Sequence, residues 1–148
     1  MKFPSLRALF GGMGHYKTPL PPADAAHALG ALLVRAAKSD KTYLFEEIAQ
    51  IDRIIARTQK MNAVAAAKMR AECEVLEREM PETEDIVALL RDAIDVTERE
   101  ATLVALWEVV FADGINHLEE DDLLHQIEAY LGVSPERALE LQATVATR

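Results

Sequence analysis

From residue 23 onward, apolar positions recur at helical spacing along almost the whole chain. Over residues 24–39, Leu29, Leu32, Leu33 and Ala36 fall on one stripe. After Tyr43, Ile48, Ile51, Ile54 and Ile55 repeat the pattern. A third helix is expected to be capped by Asn62 and to carry Val64, Met69, Val75 and Leu76. Pro81 separates it from a fourth, capped by Thr83, with Ile86, Leu89, Leu90 and Ile94. Thr97-Glu98-Arg99-Glu100 has the form of a capping box, with Thr97 as N-cap. It introduces a fifth helix whose apolar set is Leu103, Leu106, Trp107, Val110 and Phe111. A sixth, over 118–131, stops at Gly132, and Ser134-Pro135-Glu136 starts the last, with Pro at the first helical position. No alternating run bounded by hairpin turns interrupts the series. The pattern therefore predicts an all-α fold, a compact bundle of about seven helices.

Residues 1–22 have a different character and read as a leader preceding a domain over 23–148. Gly11-Gly12-Met13-Gly14 and Pro19-Leu20-Pro21-Pro22 are flexible or helix-breaking runs. Phe3, Leu6, Leu9 and Phe10 fit one apolar helical turn, expected to dock on the domain's own core. Contact with a membrane surface or a partner is the alternative, disfavoured because only two cations flank the turn. Pro4 and Arg7 interrupt any signal-peptide core, and no run reaches membrane-spanning length, so a cytoplasmic protein is expected.

An acidic signature occurs twice between these helices. The first copy is Asp40-Lys41-Thr42-Tyr43-Leu44-Phe45-Glu46-Glu47 and the second Asp113-Gly114-Ile115-Asn116-His117-Leu118-Glu119-Glu120. A shift of 73 places superposes Asp40 on Asp113 and Glu47 on Glu120, and also Leu33 on Leu106, Ile51 on Leu124 and Ile54 on Ile127. Matching core positions as well as acids suggests an internal duplication of helix, acidic turn and helix. Two such hairpins related by a pseudo-two-fold would bring both turns together.

The position of each Asp carries the chemical argument. It falls just past a helix end, where partial negative charge disfavours a carboxylate by roughly 0.3–1 kcal/mol. Each Glu pair begins the next helix, where acids are favoured in any case. Four clustered carboxylates repel one another unless a cation intervenes. Oxygen donors suit calcium, magnesium or manganese better than zinc. Neither turn has the ligand order of an EF-hand, so both copies must contribute. The plain alternative is that Asp113-Gly114 is a turn dipeptide and the glutamates are helix-start acids; periodicity alone favours it.

The net charge of -9 is uneven: residues 1–60 hold nine Lys/Arg against five Asp/Glu, and 61–148 hold seven against twenty. An acidic chain lacks the basic footprint that duplex nucleic acid requires. The acidic portion is either a solvated surface or a face for cations or a basic partner. The single Cys73 excludes an internal disulfide framework and reads as a small core or boundary residue.

Asp24-Ala25-Ala26-His27 and Asp122-Leu123-Leu124-His125 have acid–His spacing reminiscent of di-iron bundles, but they fall at unrelated repeat positions. His27 and His125 are therefore expected on different outer faces, making local hydrogen bonds. No HExxH, phosphate-cradling Gly loop or Ser or Cys nucleophile pattern is present, so no enzymatic activity is expected.

The run Ala105-Leu106-Trp107-Glu108-Val109-Val110-Phe111-Ala112-Asp113-Gly114, with Glu119-Glu120-Asp121 and Leu131-Gly132-Val133-Ser134, resembles the TerB-like family, named for tellurite resistance. Ala37-Lys38-Ser39-Asp40, Tyr43, Glu47 and Ile51-Asp52-Arg53-Ile54-Ile55-Ala56 resemble it in the first copy. The resemblance spans about residues 26–133. It implies an all-helical domain with pseudo-two-fold repeats and a divalent-cation site made by Asp40, Glu47, Asp113 and Glu120, with a loose association with stress response. The family favours Gly after the Asp: Gly114 fits, whereas Lys41 takes that place in the first copy. A Lys there is strained if the backbone needs a positive φ, and its amine is a rival to a metal ion. A metal-free adaptor, its turns neutralised by Lys41 and nearby arginines and its acidic portion facing an unidentified protein partner, is the alternative function.

Overall fold

The computed structural model describes residues 23–39, 43–112 and 118–146, with residues 118–120 described by backbone alone. Among them are seven helices and no strand: α1 (Ala25–Lys38), α2 (Phe45–Gln59), α3 (Ala63–Glu79), α4 (Thr83–Arg91), α5 (Val96–Val110), α6 (Leu118–Leu131) and α7 (Pro135–Ala146). The all-α bundle expected from the periodicity is the observed fold. The leader, Asp40, Lys41, Asp113, Gly114 and His117 lie outside the described residues, as does the side chain of Glu120.

Helix α1 is the hub, packed against α2, α3, α4, α5 and α6. Its sequence allows this because nearly every residue is small or aliphatic. Ala28, Ala31, Leu32, Leu33, Val34, Ala36 and Ala37 are all fully buried, so burial runs round the helix and not along one stripe. Helix α5 is similar: Leu103, Leu106, Trp107, Val109 and Val110 are fully buried between α1 and α7. The Trp107 ring stacks on Phe111 at 5.4 Å between centroids. The pairs α1–α2 and α5–α6, α1–α3 and α5–α7, and α2–α5 and α1–α6 pack together, whereas the close packing of α2 on α3 is not matched between α6 and α7.

Local signals set most helix ends. The Asp24 carboxylate accepts from His27 N at 2.8 Å and the Asn62 amide oxygen from Ala65 N at 2.8 Å, each capping its helix. Gly132 has φ 76°, and the bonds Gly132 N–Ala129 O and Val133 N–Glu128 O close a Schellman motif on α6. Ser134 Oγ accepts from Arg137 N, so Ser134 caps α7 as expected.

Three sequence expectations are corrected. The capping box of α5 is two residues earlier: Asp95 is the N-cap and Glu98 occupies N3. Two overlapping boxes compete here, and the charged Asp suits the helix N-terminus better than a Thr hydroxyl. The displaced Glu100 binds Arg137 of α7 at 2.9 Å. Thr83 does not cap α4; Glu82 precedes the helix without a side-chain cap, and the Thr83 hydroxyl accepts from Arg35. Val64 is 81 % exposed; the buried stripe of α3 runs instead through Ala66, Met69, Cys73 and Leu76.

Two contacts fix α3 on α1. A Cβ built on Gly30 would overlap Cys73 Sγ and lie 3.0 Å from its Cβ, so the helices approach closely only because residue 30 lacks a side chain. Arg35 then closes the C-terminal end of α3. Its Nε donates to Glu77 Oε2 at 3.0 Å, Nη2 to the carbonyls of Glu77 and Met80, and Nη1 to the Pro81 carbonyl and Thr83 Oγ1. The carbonyls at this end of α3 are thereby satisfied by a side chain from another helix.

Candidate functional site

Of the four carboxylates expected to form the cation site, Glu47 alone has a described side chain. It stands in the first turn of α2, 1 % exposed, and its Oε1 accepts from Leu44 N at 3.0 Å. This bond is the backward half of a capping box; Leu44 has no side-chain acceptor for the other half. Glu47 thus holds the first acidic turn against the start of α2 while its carboxylate stays out of water. The other three lie outside the description, so the structure neither gathers nor separates the set. Among the described residues no group of three or more His, Cys, Asp or Glu side chains is arranged to hold a metal ion.

What surrounds the turns is defined. Lys38 and Ser39 end α1 immediately before the first turn, and Asp122, Leu123 and Gln126 lie in the opening turns of α6 just after the second. With Arg35 and Glu77 these residues line one cleft of about 500 Å³. Asp121, next in sequence to Glu120, has a buried Oδ1 with no hydrogen-bond partner among the described residues. The described lining of the cleft carries two cations, Arg35 and Lys38, beside two acids, Glu77 and Asp122. The two described cations of the lining both pair with Glu77, itself in that lining. All five Arg35 N–H directions meet acceptors of α3, the α3–α4 segment and the first residue of α4, and Lys38 Nζ binds Glu77 at 2.9 Å.

The histidines do not form a di-iron pair. His27 is buried against α3: Nδ1 meets Asp24 Oδ1 at 2.9 Å and Nε2 meets Glu72 Oε1 at 2.9 Å. Burial opposes the charged ring, but the hydrogen bonds to Glu72 and Asp24 outweigh it and raise the pKa above the ordinary His value. With both nitrogens facing carboxylates, the imidazolium is the form that satisfies both contacts. His125 is instead an exposed residue on α6, bound to Glu128 at 3.0 Å and edge-on to Trp107. The expectation of an outer-face position holds for His125 and fails for His27, whose acid partner on α3 lies 45 residues away. The acid–His motif that suggested metal binding is, for Asp24 and His27, a helix cap joined to an interhelical ion pair.

Cys73 is fully buried and its thiol is pushed up to about 12, chiefly by burial with help from Glu72 and Asp24. It is a packing residue, not a nucleophile. No helix among the described residues is long and apolar enough to cross a membrane.

The family model described as "Tellurite resistance protein TerB" matches residues 26–143, most of the chain and every helix of the bundle. The chain belongs to the TerB family. No curated protein and no solved structure gives a significant match. The match extends past the resemblance read from the sequence, into α7, in keeping with the packing of α7 on α5.

Proposed function

We propose that this TerB chain is a non-enzymatic helical module that binds one hard divalent cation at its paired acidic turns, with Asp40, Glu47, Asp113 and Glu120 as the protein ligands. The observation that carries the reading is the shared cleft: residues ending the helix before one turn and residues opening the helix after the other line the same 500 Å³ space. Further support comes from the register of the duplication. Leu33 and Leu106, Ile51 and Leu124, and Ile54 and Ile127 are all fully buried, and three of the helix pairings around them have a counterpart in the other half. A bound calcium, magnesium or manganese ion would neutralise the carboxylates and tie the α1–α2 hairpin to the α5–α6 hairpin. Such a brace suits a role in stress response, where a cation-dependent surface engages a protein partner.

Calorimetric titration of metal-stripped full-length protein with each of the three ions tests this. Binding at one site per chain is expected, weakened at least tenfold by Glu47→Gln and by Asp113→Asn with Glu120→Gln. Absence of binding, or an unchanged affinity in those variants, refutes it. A second reading, a metal-free interaction adaptor, draws on the cleft's own cations, Arg35 and Lys38, which already neutralise Glu77. Elemental analysis of gently purified protein separates the two: stoichiometric metal counts against the adaptor.

A further inference from the structure

A groove of about 470 Å³ opens at the N-terminal end of α1, away from the acidic cleft at the other end of that helix. Its walls are Ala25, Ala26 and Leu29 of α1, Leu90 of α4 and Ile94 beyond it, and its floor is Thr102 and Ala105 of α5. Leu29 and Ile94 are only partly buried, so the groove presents aliphatic surface that the described residues leave uncovered. Arg57 and Glu98 stand at its rim.

We infer that this groove receives the chain's own leader, with the apolar set Phe3, Leu6 and Phe10 against Leu29, Leu90 and Ile94. Connectivity is the first argument. The leader joins the domain at residue 23, two positions before the groove wall begins at Ala25. Twelve residues separate Phe10 from Ala23, a reach of about 40 Å when extended. The segment needs only about 6 Å along α1 to pass from Ala25 to Leu29. The intervening Gly11-Gly12-Met13-Gly14 run permits the reversal of direction that docking requires.

Charge is the second argument. The leader holds Lys2, Arg7 and Lys17 and no acid, whereas residues 23–148 hold thirteen Lys/Arg against twenty-five Asp/Glu. The groove itself is lined by one cation and one acid, Arg57 and Glu98, so the opposite sign belongs to the domain as a whole. Tethering makes the contact intramolecular, with an effective concentration in the millimolar range, so a few apolar side chains suffice to hold it. The occupant is thus specified by sequence proximity and reach, with the net charge of the domain in its favour.

The test is an NMR measurement on the full chain. Nuclear Overhauser contacts are expected from the Phe3 and Phe10 rings to the methyl groups of Leu29, Leu90 and Ile94, and none to Leu123 at the acidic cleft. Ala101→Trp, which fills the groove from an exposed position, is expected to abolish them with the helical circular dichroism unchanged; Phe10→Ser weakens them while leaving the domain folded. Absence of these contacts in the unmodified chain, or their persistence in Ala101→Trp, overturns the inference. Isotope-filtered spectra of a mixture of differently labelled chains add a third outcome: contacts between chains overturn it in favour of a second copy's leader as occupant.

Discussion

Gly30→Ala is the substitution for which helix propensity and packing predict opposite signs. In an isolated helix the change stabilises by about 1 kcal/mol, because Gly loses more backbone entropy on folding than Ala. In this bundle the added methyl overlaps Cys73 Sγ and stands 3.0 Å from Cys73 Cβ, at the crossing of α1 and α3. Both helices are held there, since Arg35 binds α3 one end further along and His27 binds Glu72 at the other. Overpacking of a constrained core costs about 1–3 kcal/mol; an overlap with sulfur backed by a carbon contact belongs in the upper half, about 2–3, so against the gain of about 1 the net loss is about 1–2 kcal/mol. For a chain of this size that is a fall in Tm of about 3–6 °C. Urea denaturation followed by circular dichroism measures the change. Cys73→Ala removes the overlapping sulfur but leaves the 3.0 Å contact to Cβ, so it offsets part of the penalty. The double-mutant cycle is expected to show a favourable coupling of about 1 kcal/mol. A Gly30→Ala protein as stable as the parent, or additive effects of the two changes, refutes the argument that this contact sets the helix spacing.

His27 gives a pH dependence with a defined sign. Its folded pKa is raised, so its contribution to stability is full below the unfolded value and is lost as pH rises through the folded value. The stability difference between the parent and His27→Gln is expected to shrink as pH rises above the ordinary His value of about 6.5; a difference that grows with pH contradicts the charged-ring assignment. Arg35→Met leaves the last carbonyls of α3 without their donor and Glu77 with Lys38 alone, and is expected to destabilise by about 2 kcal/mol. Arg35→Lys is expected to recover less than half of this, because an ammonium cannot span the same acceptors; full recovery in urea denaturation would show that charge alone matters.

Hydrophobic spacing, the Asn62 and Ser134 caps and the Gly132 stop were legible in the chain because each acts over three or four residues. They determined seven helices and the family's general form. The tertiary structure decided what local signals leave degenerate. Asp95 and Thr97 both offered a capping box, and the choice fell where Glu100 is released to meet Arg137 on a distant helix. Val64 has the apolar character of a core residue, yet its position in the first turn of α3 points it to solvent. Gly30 and Cys73 are unremarkable in sequence and become a contact only when α1 and α3 cross. For the candidate site, the sequence supplied the paired acids and the repeat register. It could not reveal that Glu47 is buried, that Arg35 is committed to α3, or that the flanks of both turns line one cleft. Periodicity specifies which face of a helix is apolar, whereas the identity of the residues facing it depends on the packing of helices far apart in the chain.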